Sequence, residues 1–240
     1  MDEVGSPPSI YSVEVNAWLL KALRLVKLKY NPQFIYVATT DYVEHKCSPT
    51  DTEAKRHLEL VDDELGELIN QVPDILLCLV VDHGMNAKKK AVNLKNLLAA
   101  TDIEAFVVPT VKDRYIPHHS NLSGSAYTYL AGRRRRKDAL EKLKDSEGTE
   151  HVLTADDARV RYHLPRRAIG DFFVLADQDT VFGEAGKQGV SDVNIRSHGS
   201  LHEQKIPIIV HCNESNKKVS ENKDLFNVVL DVLNNGESQN

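Results

Sequence analysis

Cysteine is scarce in this chain: three in 240 residues, at Cys47, Cys78 and Cys212. Their spacings match neither a disulfide framework nor a zinc–thiolate motif, so a reducing, cytoplasmic setting is the expectation. Long apolar runs are missing as well. No stretch approaches the ~18 consecutive apolar residues of a membrane span, and no membrane partner is expected. The opening residues, Met1 to Pro8, are acidic and polar and hold no signal-peptide apolar core. Positive charge is not in excess. Thirty Lys and Arg against 35 Asp and Glu leave a net charge of −5, which argues against general nucleic-acid binding. Internal repeats and long low-complexity segments are absent too.

What remains is an ordinary globular composition, 41% hydrophobic and 27% charged. A chain of this length can bury a sizeable core, as one large domain or a core with an insertion. A first helix is expected from about Ser12 to Lys27, ended by Pro32. The run Phe34–Val37 reads as a buried strand, and a long helix follows to about Gln71. A second buried strand is expected over Ile75–Val81. Asn86–Lys90 then reads as a polar turn, followed by a short helical stretch through Leu94, Leu97 and Leu98. This α-β-α-β order predicts an α/β fold with a mostly parallel sheet and helices on both faces.

From about residue 105 the grammar changes to short alternating pieces. A strand is expected over Ala105–Val108, a helix ending at Leu130, and a charged helix over Asp138–Lys144. A short piece His151-Val-Leu153, a helix over Ala155–Tyr162 and a strand over Asp171–Leu175 follow. These suggest a small α+β cap insertion over residues 105–195, with the core formed by 1–104 and 196–240. The basic cluster Arg133–Lys137 reads most simply as a solvated loop and helix start. A strand at Ile208–Val210 and a final helix over about Lys223–Leu233 return to core style.

Ten histidines is a generous number, and their placement carries the chemistry. The first expected strand empties into Thr39, Thr40, Asp41 and then His45; the second empties into Asp82-His83-Gly84-Met85. In open α/β sheets ligands bind just outside the carboxyl ends of the strands. Asp41 and His45 are four apart, which on a helix puts both on one face. Asp82 and His83 are adjacent, so only a turn lets both reach one site, and Gly84 suits such a turn. His198 lies in another His-Gly turn. Carboxylate and imidazole together suit zinc, manganese or iron. Two such clusters suggest two metals ~3.5–4 Å apart, an arrangement that clamps attacking and leaving oxygens in phosphoryl transfer. His118 and His119 read as structural or substrate-contacting residues. His202 reads as a poor ligand, and His57, His151, His163 and His211 as surface or packing residues.

The segments Thr39-Thr-Asp-Tyr-Val-Glu-His-Lys46, Asp82-His-Gly-Met85 and Arg196-Ser-His-Gly-Ser-Leu-His-Glu-Gln204 resemble the alkaline phosphatase superfamily. Within it they are similar to the type I phosphodiesterase/nucleotide pyrophosphatase group, and most of all to the phosphonoacetate hydrolases. Tyr115-Ile-Pro-His-His119, Leu164-Pro-Arg-Arg-Ala-Ile-Gly-Asp171 and Val181-Phe-Gly183 look like the cap region of those enzymes. The resemblance implies an alkaline phosphatase-like core. It also implies one zinc held by Asp41, His45 and His198, and a second held in part by Asp82 and His83. The implied activity is metal-dependent cleavage of the C–P bond of phosphonoacetate to acetate and phosphate. A nucleotide pyrophosphatase/phosphodiesterase and a non-catalytic metal-binding remnant are the alternatives. The family pattern has a strand-borne Asp and a Thr or Ser nucleophile ahead of these motifs. The 40 residues before Asp41 contain no match, since Asp2, Ser6 and Ser9 lie in a Pro-rich stretch. The expectation is therefore a chain equivalent to the C-terminal half or more of a family member, with no catalytic nucleophile of its own and an apolar sheet edge left exposed. The expected partner is a small phosphonate or phosphate ester.

Overall fold

The computed structural model describes residues 3–113, 115, 117–165, 167–184, 189–211 and 219–237. Asp2, Ile116, Arg166 and Cys212, named above, lie outside them. The chain divides into two compact units, residues 1–82 with 206–240 and residues 83–205. The sequence suggests boundaries at 104/105 and 195/196 instead. Residues 86–92 and 190–197 pair with each other along their length.

In the first unit, helix α1 (Val15–Tyr30) buries Ala17 and Leu20. It ends where Asn31 turns left-handed at φ 44° and donates its N–H to the Lys27 carbonyl, with Pro32 directly after. α1 packs on α3 (Thr52–Gln71), where Arg24 reaches both Glu64 and Gln71 at 3.2 Å. The short helix α2 (Tyr42–Lys46) seats Val43 against Cys47 and Ala54. Strand β1 (Leu77–Val80) is shorter than the sequence suggests and pairs antiparallel with β9 (Ile208–His211). The final helix, α7 (Leu225–Glu237), buries Val228.

The strand expected at Phe34–Val37 does not form. A strand is a pairing and not merely a run of β-branched residues. No ladder reaches residues 34–40 among the described residues, and Phe34 and Tyr36 are 58% and 80% exposed. Leu79, Val80, Val81 and Ile209 also keep large exposed areas, in line with an open apolar edge.

The second unit is built on two sheets. In the first, β2 (Asn86–Val92) lies between β7 (Thr180–Phe182) and β8 (Val190–Ser197), parallel to β7 and antiparallel to β8. The second sheet is antiparallel, in the order β3-β4-β6-β5: β3 is Ala105–Pro109, β4 Ser125–Leu130, β5 Thr149–Thr154 and β6 Phe172–Ala176. Strand β6 is buried on both faces, and its period of two divides the core. Phe172, Val174 and Ala176 pack with Leu98 of α4 (Leu94–Ala99) and Leu143 of α5 (Arg136–Lys144). Phe173 and Leu175 pack with Ala158 of α6 (Ala155–Tyr162).

Two sequence expectations change here. Asn86–Lys90 begins a central strand and is not a polar turn: Lys88 points inward to an ionic partner while Lys89 and Lys90 face outward to Asp179 and Glu147. Residues 125–130 form a strand and not a helix, consistent with Tyr127, Thr128 and Tyr129, which suit a pleated surface better than a helix. Strands β7 and β8 were not expected. Of the described ladders, only β2–β7 is parallel. No described helix is long and apolar enough to cross a membrane.

Candidate functional site

The expected site residues fall in both units. In the first, Asp41 is the residue before α2, and the His45 backbone N–H bonds back to its carbonyl at 3.1 Å. The i,i+4 spacing therefore places both side chains on one helical face, as the sequence suggests. His45 Nε2 lies 3.1 Å from Asp41 Oδ2, with the imidazole side chain 2% exposed and the carboxylate 33%. A carboxylate oxygen and an imidazole nitrogen, both of the kinds that ligate metal ions, are thus side by side.

The approach to Asp41 is fixed from α1. Asn16, 5% exposed, accepts the Thr40 N–H on Oδ1 at 3.0 Å and donates Nδ2 to the Thr40 carbonyl at 2.8 Å. Its carboxamide thus stands in for a neighbouring strand, satisfying both backbone groups of Thr40. Asn16 Nδ2 also lies 3.4 Å from His57 Nε2, and His57 Nδ1 lies 3.0 Å from the Val13 carbonyl. A carbonyl can only accept, so Nδ1 carries a proton there, while Nε2 faces both Asn16 and, at 3.6 Å, Glu44 Oε1. Of the two readings, surface or packing, His57 takes the second, as a buried polar anchor. The one signal in the sequence was an Asn within the buried stripe of α1.

In the second unit, the β2–β8 register places Asn86 opposite Ser197. The residues just beyond, His83 and His198, meet at the same end of that ladder, with rings stacked 3.4 Å apart at 5°. His83 Nδ1 lies 3.0 Å from the Gly84 carbonyl, which can only accept, so Nδ1 donates there. His118 and His119 lie on a 3-10 turn, Pro117–His119. His119 stands edge-on to His198 at 6.4 Å and next to His118 at 4.2 Å. Asp82 is exposed, at the chain boundary between the units. His202 bonds Glu150 at 2.8 Å, consistent with its reading as a poor ligand.

Two more residues of this unit escape the sequence reading. Lys88 and Glu203 are buried, with Nζ and Oε1 3.0 Å apart. Burial alone would raise the Glu203 carboxyl pKa, but hydrogen bonds from Asn86 and Ser200 and the charge of Lys88 outweigh it and hold the group below its ordinary value. A signal for Glu203 was present: Ser200-Leu-His-Glu203 is a capping-box pattern, and the box forms. Lys88, inside a triple lysine, carried none.

Asp41, His45, His83, His118, His119 and His198 are side chains that could hold a metal ion. The chain matches solved structures of phosphonoacetate hydrolase from Sinorhizobium meliloti 1021. The complex with phosphonoformate gives a TM-score of 0.78 at 28% identity, and that with phosphonoacetate 0.79 at 27%. Each match covers 91% of this chain and 55% of that one, so this chain spans about half the length of those structures. Human ectonucleotide pyrophosphatase/phosphodiesterase 5 shares the fold, with a TM-score of 0.58 at 18% identity over 83% of this chain and 53% of that one. The fold is thus mixed α/β of the alkaline phosphatase-like kind. The family model of the type I phosphodiesterases/nucleotide pyrophosphatases matches residues 10–201, which is most of the chain. The chain belongs to the type I phosphodiesterase/nucleotide pyrophosphatase family, within the alkaline phosphatase superfamily.

Proposed function

We propose that this chain provides the metal-holding part of a hydrolase of the phosphonoacetate hydrolase type, which converts phosphonoacetate and water to acetate and phosphate. The observation that carries the proposal is the pairing of expected ligands inside each unit, Asp41 with His45 and His83 with His198. Identity of 28% to a phosphonoacetate hydrolase supports the choice of substrate class. Asp41, His45 and His198 are the proposed ligands of one zinc ion; Asp82 and His83 are the proposed part of a second site, too few ligands to hold an ion through dialysis. The donor chemistry fits: His45 is held against a carboxylate, and His83 Nδ1 is engaged by the Gly84 carbonyl, which makes Nε2 the ring nitrogen proposed to ligate. Zinc bound there supplies Lewis acidity toward a phosphoryl oxygen. The chain's own residues orient the donors and, through the buried ring of His45, keep one of them from competing water. No residue of this chain is proposed as the nucleophile. Segment 105–195 is proposed as the cap, the substrate as a small phosphonate or phosphate ester, and the location as the cytoplasm.

The test is zinc content after exhaustive dialysis, for the wild type beside His45→Ala and His198→Ala. About one zinc per chain, lost in both variants, is the expected result. A wild type without zinc, or variants that keep it, refutes the assignment. The second reading, a nucleotide pyrophosphatase/phosphodiesterase, is favoured by the family model. Release of phosphate from phosphonoacetate, against release of a mononucleotide from a dinucleotide, separates the two. Zinc retention with neither release supports a non-catalytic metal-binding role.

A further inference from the structure

We infer that the buried Lys88–Glu203 pair is a positioning device that sets the two imidazoles His83 and His198 in register; the inference rests on their proposed role as ligands. All of its parts lie in the second unit. Glu203 uses every acceptor it has on the segments that carry these rings. Oε1 accepts from Lys88 Nζ at 3.0 Å and from Asn86 Nδ2 at 2.7 Å, both on β2, just past His83. Oε2 accepts from the N–H and Oγ of Ser200 at 2.9 and 2.7 Å, two residues past His198. The Glu203 carbonyl accepts the Gly84 N–H at 2.7 Å, directly beside His83. One residue therefore ties both His-Gly turns to a common point.

The surroundings leave that point little freedom. Lys88 is 1% exposed and Glu203 3%, and Lys88 Nζ is held further by the Gln178 carbonyl at 2.9 Å. The Asn86 amide also reaches the His202 carbonyl at 3.3 Å. His198 is fixed from its other side, where its carbonyl accepts the Gly124 N–H at 2.8 Å. A Cβ on Gly84 would meet the Glu203 carbonyl at 3.3 Å, so the turn is already in contact with its anchor. A buried ion pair is weak evidence for stability, because an apolar pair of similar volume does as well or better. What an apolar pair lacks is four directed hydrogen bonds accepted by one carboxylate, two from β2 and two from Ser200.

The decisive variant is the double substitution Lys88→Met with Glu203→Gln in the full chain, which removes both buried charges and strands neither. The expected result is a retained cooperative melt with altered His83 and His198 ring resonances in the metal-free protein, assigned through single His→Gln variants. Zinc affinity, from competition with a chromogenic chelator, is expected to fall about tenfold or more. The control Glu147→Gln breaks the exposed Lys90–Glu147 pair on the same strand and is expected to change neither readout. A folded double variant with wild-type ring resonances and wild-type zinc affinity overturns the inference. Should the double variant fail to fold, Ser200→Ala removes only one hydrogen bond to Glu203 and is read the same way: shifted rings support the inference and unshifted rings overturn it. If the wild type holds no zinc, the proposed function falls by itself, and the ring resonances still decide the positioning role.

Discussion

Replacing Asn16 with Ala tests whether a single carboxamide stands in for a missing strand. The substitution removes two hydrogen bonds to the Thr40 backbone, at 2.8 and 3.0 Å, and the 3.4 Å contact to His57 Nε2. Each bond contributes roughly 0.5–1.5 kcal/mol net, and a buried group left unsatisfied costs about 1–3 kcal/mol. Thr40 is only half-buried, so water can recover part of its loss, whereas His57, 4% exposed, recovers little. Ala also improves the helix by up to about 0.7 kcal/mol. The balance is a destabilisation of about 2–3 kcal/mol. The single tryptophan, Trp18, sits two residues away in the same unit, so its fluorescence in a urea titration reports the right part of the chain. The expected result is a lower midpoint with an unchanged slope. His57→Ala and the double variant complete a cycle, in which a coupling above about 0.5 kcal/mol is expected. A loss below about 0.5 kcal/mol for Asn16→Ala, or no coupling with His57, refutes the reasoning.

Gly124→Ala should destabilise the second unit by about 1–3 kcal/mol, as overpacking does, because the new Cβ would meet the Ser200 backbone N at 2.5 Å and Cβ at 2.7 Å, neither of which can swing away. An unchanged thermal melt would count against the tight 124–200 contact. Acid should weaken the same unit through Glu203. Its folded pKa lies below its ordinary value, so the unfolded chain takes up the proton at higher pH, and the stabilisation, complete above the unfolded pKa, disappears as pH falls through the folded one. The urea midpoint followed by circular dichroism should therefore drop below about pH 4.5. That drop should be smaller in the Lys88→Met/Glu203→Gln variant; an equal drop would place the acid sensitivity elsewhere.

Elements whose signal is local were legible in the sequence. The stripe of α1, the long run of α3 and the Ala155–Tyr162 helix all form within a few residues of expectation. The Asp41–His45 contact follows from a spacing that any short helix realises. Elements that depend on a partner were not legible. Phe34–Val37 has the composition of a buried strand, yet a strand exists only through its neighbours, and the backbone that follows is satisfied by Asn16 instead. Asn86–Lys90 has the composition of a solvated turn, yet Ser197 to Asp192 lie opposite and Glu203 waits for Lys88. In both cases the deciding residue is far away in sequence, 18 or more residues from Phe34 and 115 from Lys88.

The two polar devices have the same logic, one in each unit. Asn16 with His57 fixes Thr40, the residue before Asp41; Glu203 with Lys88 fixes Gly84, the residue after His83, and Ser200, two past His198. Neither is the cheapest way to fill buried space, since desolvating an amide, an imidazole, an ammonium or a carboxylate costs free energy that an apolar side chain avoids. Their hydrogen bonds mostly offset that cost, which leaves little net stability but a defined backbone position. Such positions matter where a donor atom must be held to within about half an ångström, and Thr40, Gly84 and Ser200 lie one or two residues from Asp41, His83 and His198, all proposed as ligands. Burial of polar groups at these places and not along β6, whose two faces are filled with Phe, Val, Leu and Ala, is what separates a positioned site from a core.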